Sequence, residues 1–158
     1  MRIQVRSGQL GQLRGGVTVY AALEGEQHPE RLLPSSSVRE RALIQLIRGS
    51  GFRGAANETT LLPKGNGWVL VVGIGKAKDL SLERVRQFAA TAARTVRARS
   101  FTQLTLPVLR ERNLGQAEIV AQAITEGALL GLYRYDKLKR VPKHEQRKRI
   151  EAITLVVE

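Results

Sequence analysis

Trp68-Val-Leu-Val-Val72, followed at once by Gly73-Ile-Gly75-Lys76, is the stretch that decides the fold. An uninterrupted apolar run leaves no polar face for water, so it predicts a central strand buried on both sides. Gly65-Asn66-Gly67 ahead of it reads as a turn, and Thr59 to Leu62 before that as a short strand. Beyond it, Ser81 can cap a helix in which Val85, Phe88, Ala89, Ala92, Ala93 and Val96 recur at spacings of three and four. Arg84, Arg86, Arg94 and Arg97 take the opposite side. Phe101 to Leu106 returns as a strand. Strand, helix and strand make a βαβ unit, which predicts two parallel strands joined by a right-handed crossover.

Working outward, residues 2 to 6 alternate around Ile3 and Val5, and residues 17 to 23 place Val17, Val19, Ala21 and Leu23 on one face with Thr18 and Tyr20 on the other. Two strands follow, joined through the Gly-rich stretch from Gly8 to Gly16. After the polar link His28 to Pro34, Ser37-Val-Arg-Glu40 has the spacing of a capping box. The helix it starts runs to about Arg48, with Ala42, Leu43, Leu46 and Ile47 as its apolar face and Gly49 and Gly51 as its stop. A third helix is predicted from Asn113-x-x-Gln116 to about Tyr133. In it, Val120, Ile124, Gly127 and Gly131 share a side, and Ala123, Gly127 and Gly131 form a smooth ridge for close approach of a neighbour. Glycine costs a helix about 1 kcal/mol relative to alanine, so two of them point to tight packing. Ile153, Leu155 and Val157 mark a last strand. The expected architecture is an α/β domain with a mixed central sheet and helices on both faces.

At 158 residues the chain has the size of one domain, covering 1–158. Its hydrophobic share of 42% against 25% charged residues argues for a folded chain. No stretch approaches the 18 or so apolar residues of a membrane helix, and Met1-Arg2-Ile3-Gln4-Val5 lacks the apolar core of a signal peptide. A soluble, cytoplasmic protein without a membrane partner is expected. Cysteine is absent, which removes disulfides and thiolate chemistry. Charge is the outlying property: the net value is +12 and the pI near 11.0. Between Arg134 and Arg149 lie Arg134, Lys137, Lys139, Arg140, Lys143, Arg147, Lys148 and Arg149 against only Asp136 and Glu145, so half of the net charge sits there.

The chain is poor in catalytic groups. His28 and His144 are far apart and lack metal-ligand companions, and the only aspartates are Asp79 and Asp136. A two-metal hydrolase needs several carboxylates around ions about 4 Å apart. Ser35-Ser36-Ser37 lacks the flanking glycines of a nucleophile elbow and reads as helix-start chemistry. Gly73-Ile-Gly75-Lys76 follows a central strand, where α/β proteins often bind phosphate, but it lacks the spacing of a P-loop and the third glycine of a dinucleotide fingerprint. A tight turn is expected there in preference to a phosphate cradle. The basic segment reads either as a solvated loop or as a polyanion site working by counterion release. Tyr133 and Tyr135 beside it could stack on bases, or one could be packed and one exposed.

One ordered set of residues points to a family. Phe52-x-Gly54-x-x-x-Glu58-Thr59, then Val71-Val-Gly-Ile-Gly-Lys76, then the Ala- and Arg-rich helix, then Glu126-Gly127-Ala128-x-Leu130-x-x-Tyr133-x-Tyr135-Asp136-x-x-Lys139 resemble the amino-terminal domain of the leucyl (cytosol) aminopeptidases. The chain departs from the family pattern at Asn57, where glycine is common, and at Leu138, where a tyrosine often precedes the lysine. The resemblance implies a three-layer, macro-domain-like fold and a non-catalytic role beside a carboxy-terminal catalytic domain. That absent domain would hold two divalent metals (Mn or Zn), the catalytic lysine and arginine, and the Asn-Thr-Asp-Ala-Glu-Gly-Arg-Leu motif. On this reading the chain stops where the catalytic domain would begin, and it carries no catalytic residue, cofactor or metal of its own. Its implied partners are that domain and a homo-oligomer, a hexamer in the family, in which it would shape subunit contacts and active-site access. Some bacterial relatives bind DNA, so nucleic acid is a further candidate partner. Macro domains proper bind ADP-ribose through an acidic residue and Gly-rich loops; with two aspartates, neither beside an early strand, that activity is not expected.

Overall fold

The computed structural model describes residues 1–10, 16–25, 38–134 and 149–157, with side chains in the first helix described from Ile44 onward. The elements are β1 (Arg2–Ser7), β2 (Val17–Leu23), α1 (Val38–Gly49), β3 (Thr59–Lys64), β4 (Gly67–Gly75), α2 (Leu82–Ala98), β5 (Gln103–Pro107), α3 (Ala117–Leu132) and β6 (Ala152–Val157). One six-stranded sheet runs in the order β1-β6-β5-β2-β4-β3. Every neighbouring pair is parallel except β3 with β4. That exception is the hairpin expected from Gly65-Asn66. Lys64 pairs Gly67, and Gly65 at φ 58 supplies the positive φ that a two-residue loop needs at its first central position.

The apolar run at 68–72 is an interior strand, held between β2 and β3. Both its faces are dry: Val69 and Val71 lie on one side, Leu70, Val72 and Ile74 on the other. β4 and β5 are parallel through β2, which sits between them, so the α2 crossover skips one strand. β2 has the predicted face of Val17, Val19, Ala21 and Leu23, but its other face is covered too, and Tyr20 is fully buried.

α2 and α3 lie together on one face. Their apolar stripes, Val85, Phe88, Ala92 and Val96 on α2 and Val120, Ala123, Ile124 and Ala128 on α3, merge with Leu70, Val72, Leu104 and Leu155 of the sheet. The predicted ridge performs as expected. A Cβ at Gly127 would meet the Arg86 carbonyl and stand 2.7 Å from Arg86 Cα, and one at Gly131 would stand 2.7 Å from Ala90 Cα. Only glycine lets the α3 backbone rest directly on α2.

α1 covers the opposite face, where Leu10, Tyr20, Ala22, Ile47, Val69, Val71 and Val156 cluster with Ile44, Phe52 and Leu62 packed against them. Leu46, expected in the core, is instead 52% exposed, and Ile44 takes the inward position beside Ile47. The helix ends as predicted through Gly51 at φ 74. Ser37 of the capping box lies outside the described residues. At α2 the cap is in place, with Ser81 Oγ accepting from the Arg84 amide at 3.3 Å. At α3 it is not: Gln116 occupies the cap without a side-chain bond, and Asn113 donates its Nδ2 to the Leu80 carbonyl at 2.9 Å. Asn113 therefore ties the approach to α3 back to the start of α2.

Candidate functional site

The parallel strands β2 and β4 end together at Leu23 and Gly75, the end of the sheet at which open α/β folds bind ligands. The Gly73-Ile-Gly75 sequence lies here, but it is neither a turn nor a phosphate cradle. Both glycines belong to β4, and the segment Arg53 to Glu58 folds across them.

The amides of both glycines, which a phosphate cradle would need, are occupied. The Gly73 amide donates to the Glu58 carbonyl at 2.7 Å and the Gly75 amide to the Gly54 carbonyl at 3.1 Å. The Gly73 and Gly75 carbonyls accept in turn from Asn57 and Glu24, both at 2.9 Å. The approach is close enough to exclude any side chain: a Cβ at Gly73 would strike the Ala55 carbonyl and stand 2.6 Å from the Gly54 carbonyl carbon. Gly54, at φ 80, rests in the same way on the end of β2, where an added Cβ would stand 2.7 Å from the Leu23 carbonyl carbon.

Glu58 and Asn57 hold this covering segment in shape. Glu58 Oε2 accepts from the amides of Arg53 and Ala55, both at 3.0 Å, which satisfies donors no strand reaches. Asn57 has φ 65, a left-handed conformation that glycine adopts freely and asparagine tolerates best among other residues. Its departure from the family's glycine is therefore conformationally conservative. The side chain also gains a partner, since the buried Thr91 hydroxyl of α2 donates to Asn57 Oδ1 at 3.0 Å. Glu58 carries a structural role that its place in the quoted motif did not disclose. A signal was present in the sequence: a carboxylate spaced to reach back over Gly54.

Two of the arginines expected to face away from the core are engaged with α3. Arg86 Nε donates to Glu126 Oε2 at 2.8 Å, and Arg97 Nη1 donates to the Leu132 carbonyl at 2.9 Å. The Glu126 carboxyl is held below its ordinary range by the hydrogen bond from Gln122 and that from Arg86. These charges join two helices. Of the basic segment, Arg134 and Arg149 are described and both are exposed. Lys137, Lys139, Arg140, Lys143, Arg147 and Lys148 lie outside the described residues, as do His28, His144 and Tyr135. Tyr133 is 72% exposed.

Among the described residues, no three His, Cys, Asp or Glu side chains come together to hold a metal ion. Asp79 stands exposed on the short turn between β4 and α2. No described helix is long and apolar enough to cross a membrane.

Fold and strand-end junction together define a mixed-sheet α/β domain whose ligand end is closed by its own backbone. The chain belongs to the cytosol aminopeptidase family: residues 19–142 match the model of that family's N-terminal domain. It is 36% identical over 120 residues to a probable cytosol aminopeptidase of Roseiflexus castenholzii, covering 72% of this chain and 24% of that protein. A probable cytosol aminopeptidase of Aquifex aeolicus is 27% identical over 147 residues, covering 92% of this chain and 29% of that one. The chain thus spans about a quarter of the length of these relatives. Among solved structures, a mutant tomato leucine aminopeptidase superposes with a TM-score of 0.76 at 16% identity, over 98% of this chain and 32% of that one. The bottromycin maturation enzyme BotP superposes with a TM-score of 0.63 at 25% identity, over 89% and 27%.

Proposed function

We propose that this chain is one domain, 1–158, that serves as the non-catalytic N-terminal part of a cytoplasmic two-metal aminopeptidase acting on peptide N-termini. In that role it contributes to subunit contacts and to active-site access. The observation that carries the reading is the family match over residues 19–142, with the chain spanning only about a quarter of the length of the relatives it matches. The Mn or Zn pair, the catalytic groups and the hexamer contacts would then belong to the whole protein. The test is hydrolysis of leucine amides by this chain with Mn²⁺ or Zn²⁺ added. No turnover is expected, and turnover that saturates with metal would overturn the proposal.

The net charge of +12 supports a second reading, in which the segment from Arg134 to Arg149 binds nucleic acid. Phosphate neutralisation makes such binding salt-dependent, with a log–log slope of roughly −0.9 per contacted phosphate on duplex DNA. Titration against duplex DNA at several salt concentrations checks it; a flat response defeats it.

A further inference from the structure

The two edges of the sheet are finished differently. β3 carries Pro63, which has no amide hydrogen to offer a neighbour, and ends in Lys64. β1 has neither proline nor bulge, and pairs β6 in unbroken register from Arg2 to Ser7.

Its hydrogen bonds show which groups are free. The Arg2 amide donates to the Glu151 carbonyl at 2.7 Å and the Gly8 amide to the Val157 carbonyl at 3.1 Å. Partner-facing groups recur every second residue along a strand, so Gln4 and Arg6 also face β6. The N–H and C=O groups of Ile3, Val5 and Ser7 then point away from the sheet, and among the described residues nothing pairs with them.

The side chains flanking that edge have a definite chemistry. Ile3 and Val5, 37% and 60% exposed, extend the apolar face of Ile153 and Leu155. On the other face lie Arg2, Gln4 and Arg6. Gln4 is held by Thr154 Oγ1 at 2.9 Å, while Arg2 and Arg6 are exposed and meet no carboxylate among the described residues.

We propose that the free edge of β1 binds an extended acidic polypeptide, added as a further strand. Its main chain would bond to Ile3, Val5 and Ser7, its acidic side chains would face Arg2 and Arg6, and its alternate apolar side chains would extend the surface of Ile3 and Val5. The alternation of outward donors and acceptors fits a strand, the mode by which sheet edges take peptides. A second copy of this chain fits poorly. Twofold pairing of two β1 edges runs antiparallel and gathers the arginines of both copies along one seam; the register centred on Gln4 sets Arg2 of one copy directly against Arg6 of the other, and like charges placed opposite are destabilising. The arginines that guard the edge against its own copy are those that select an acidic partner.

The probe is a short dye-labelled peptide with a Glu-Val-Glu-Val-Glu-Val core, compared with a Lys-Val counterpart, on the full chain. Binding is expected for the acidic peptide only, with slowed amide exchange at Ile3, Val5 and Ser7 by NMR. Val5→Pro removes an outward N–H while leaving the β1–β6 bonds in place, so it should abolish binding with the thermal midpoint held within a few degrees. Arg2→Glu with Arg6→Glu should weaken the acidic peptide by about tenfold and favour the Lys-Val peptide. Undiminished binding by Val5→Pro, protection confined to other residues, or a concentration-dependent dimer abolished by Val5→Pro would each overturn the proposal.

Discussion

Among the described residues the two faces of the sheet are covered to different depths, and the difference bears on where this domain's stability resides. On one face α2 and α3 touch each other through glycines and share a continuous core with the sheet, from Val17 through Phe88 and Ile124 to Leu155. On the other, the described part of α1 contributes Ile44 and Ile47 to a smaller cluster, and Leu46 on the same helix is left half in solvent. Local opening costs least where little apolar surface is buried. The α1 face is therefore expected to open first and the α2–α3 face last.

The sharpest test of that contrast removes a large side chain from each face. Phe88→Ala should cost about 3–5 kcal/mol and Ile47→Ala about 2 kcal/mol or less, both read from urea unfolding. Equal losses would break the contrast. A second pair should differ in sign. Gly127→Ala places a methyl group against the Arg86 backbone and should destabilise by about 1–3 kcal/mol, although alanine is the better helix former. Gly49→Ala, at the end of α1 where nothing lies within 4 Å of the added carbon, should stabilise by up to about 1 kcal/mol. The smallest effect is electrostatic. Because the Glu126 carboxyl is held below its ordinary range in the fold, its contribution is present above the unfolded-state value and is lost as pH falls through the folded one. Glu126→Gln should flatten the acid limb of the stability curve between those values, and an unchanged limb would mean that the Arg86 contact does not join the helices in solution.

Much of the fold was legible because it rests on local periodicity. The apolar run at 68–72, buried from Val69 onward, the apolar stripe of α2 and the glycine ridge of α3 are patterns within one element, and each reads directly from spacing. What spacing could not supply is the identity of a partner far along the chain. Gly73 and Gly75 looked like a turn because glycine after an apolar run usually stops a strand; here they extend it, since the segment Arg53 to Glu58 comes to lie on them. Arg86 and Arg97 fell on the polar side of α2 in one dimension, where charged residues ordinarily meet water, and only the packing of α3 gives them Glu126 and the Leu132 carbonyl. Leu46 was misplaced because Ile44, on the same helix, takes the inward position beside Ile47. The basic segment was visible from composition, with Arg134 and Arg149 found exposed, while its other members lie outside the described residues.

The glycine pair at the end of β4 has a consequence for how this domain could ever acquire a ligand. The segment from Arg53 to Glu58 behaves as a tethered competitor, covalently attached and held by main-chain bonds at 2.7 to 3.1 Å. A tether of this kind acts at an effective concentration in the millimolar range or above, so a free anion must outcompete it before touching the sheet. Gaining affinity at this end would begin by lengthening or loosening the segment, for example at Gly54, before any binding residue is added.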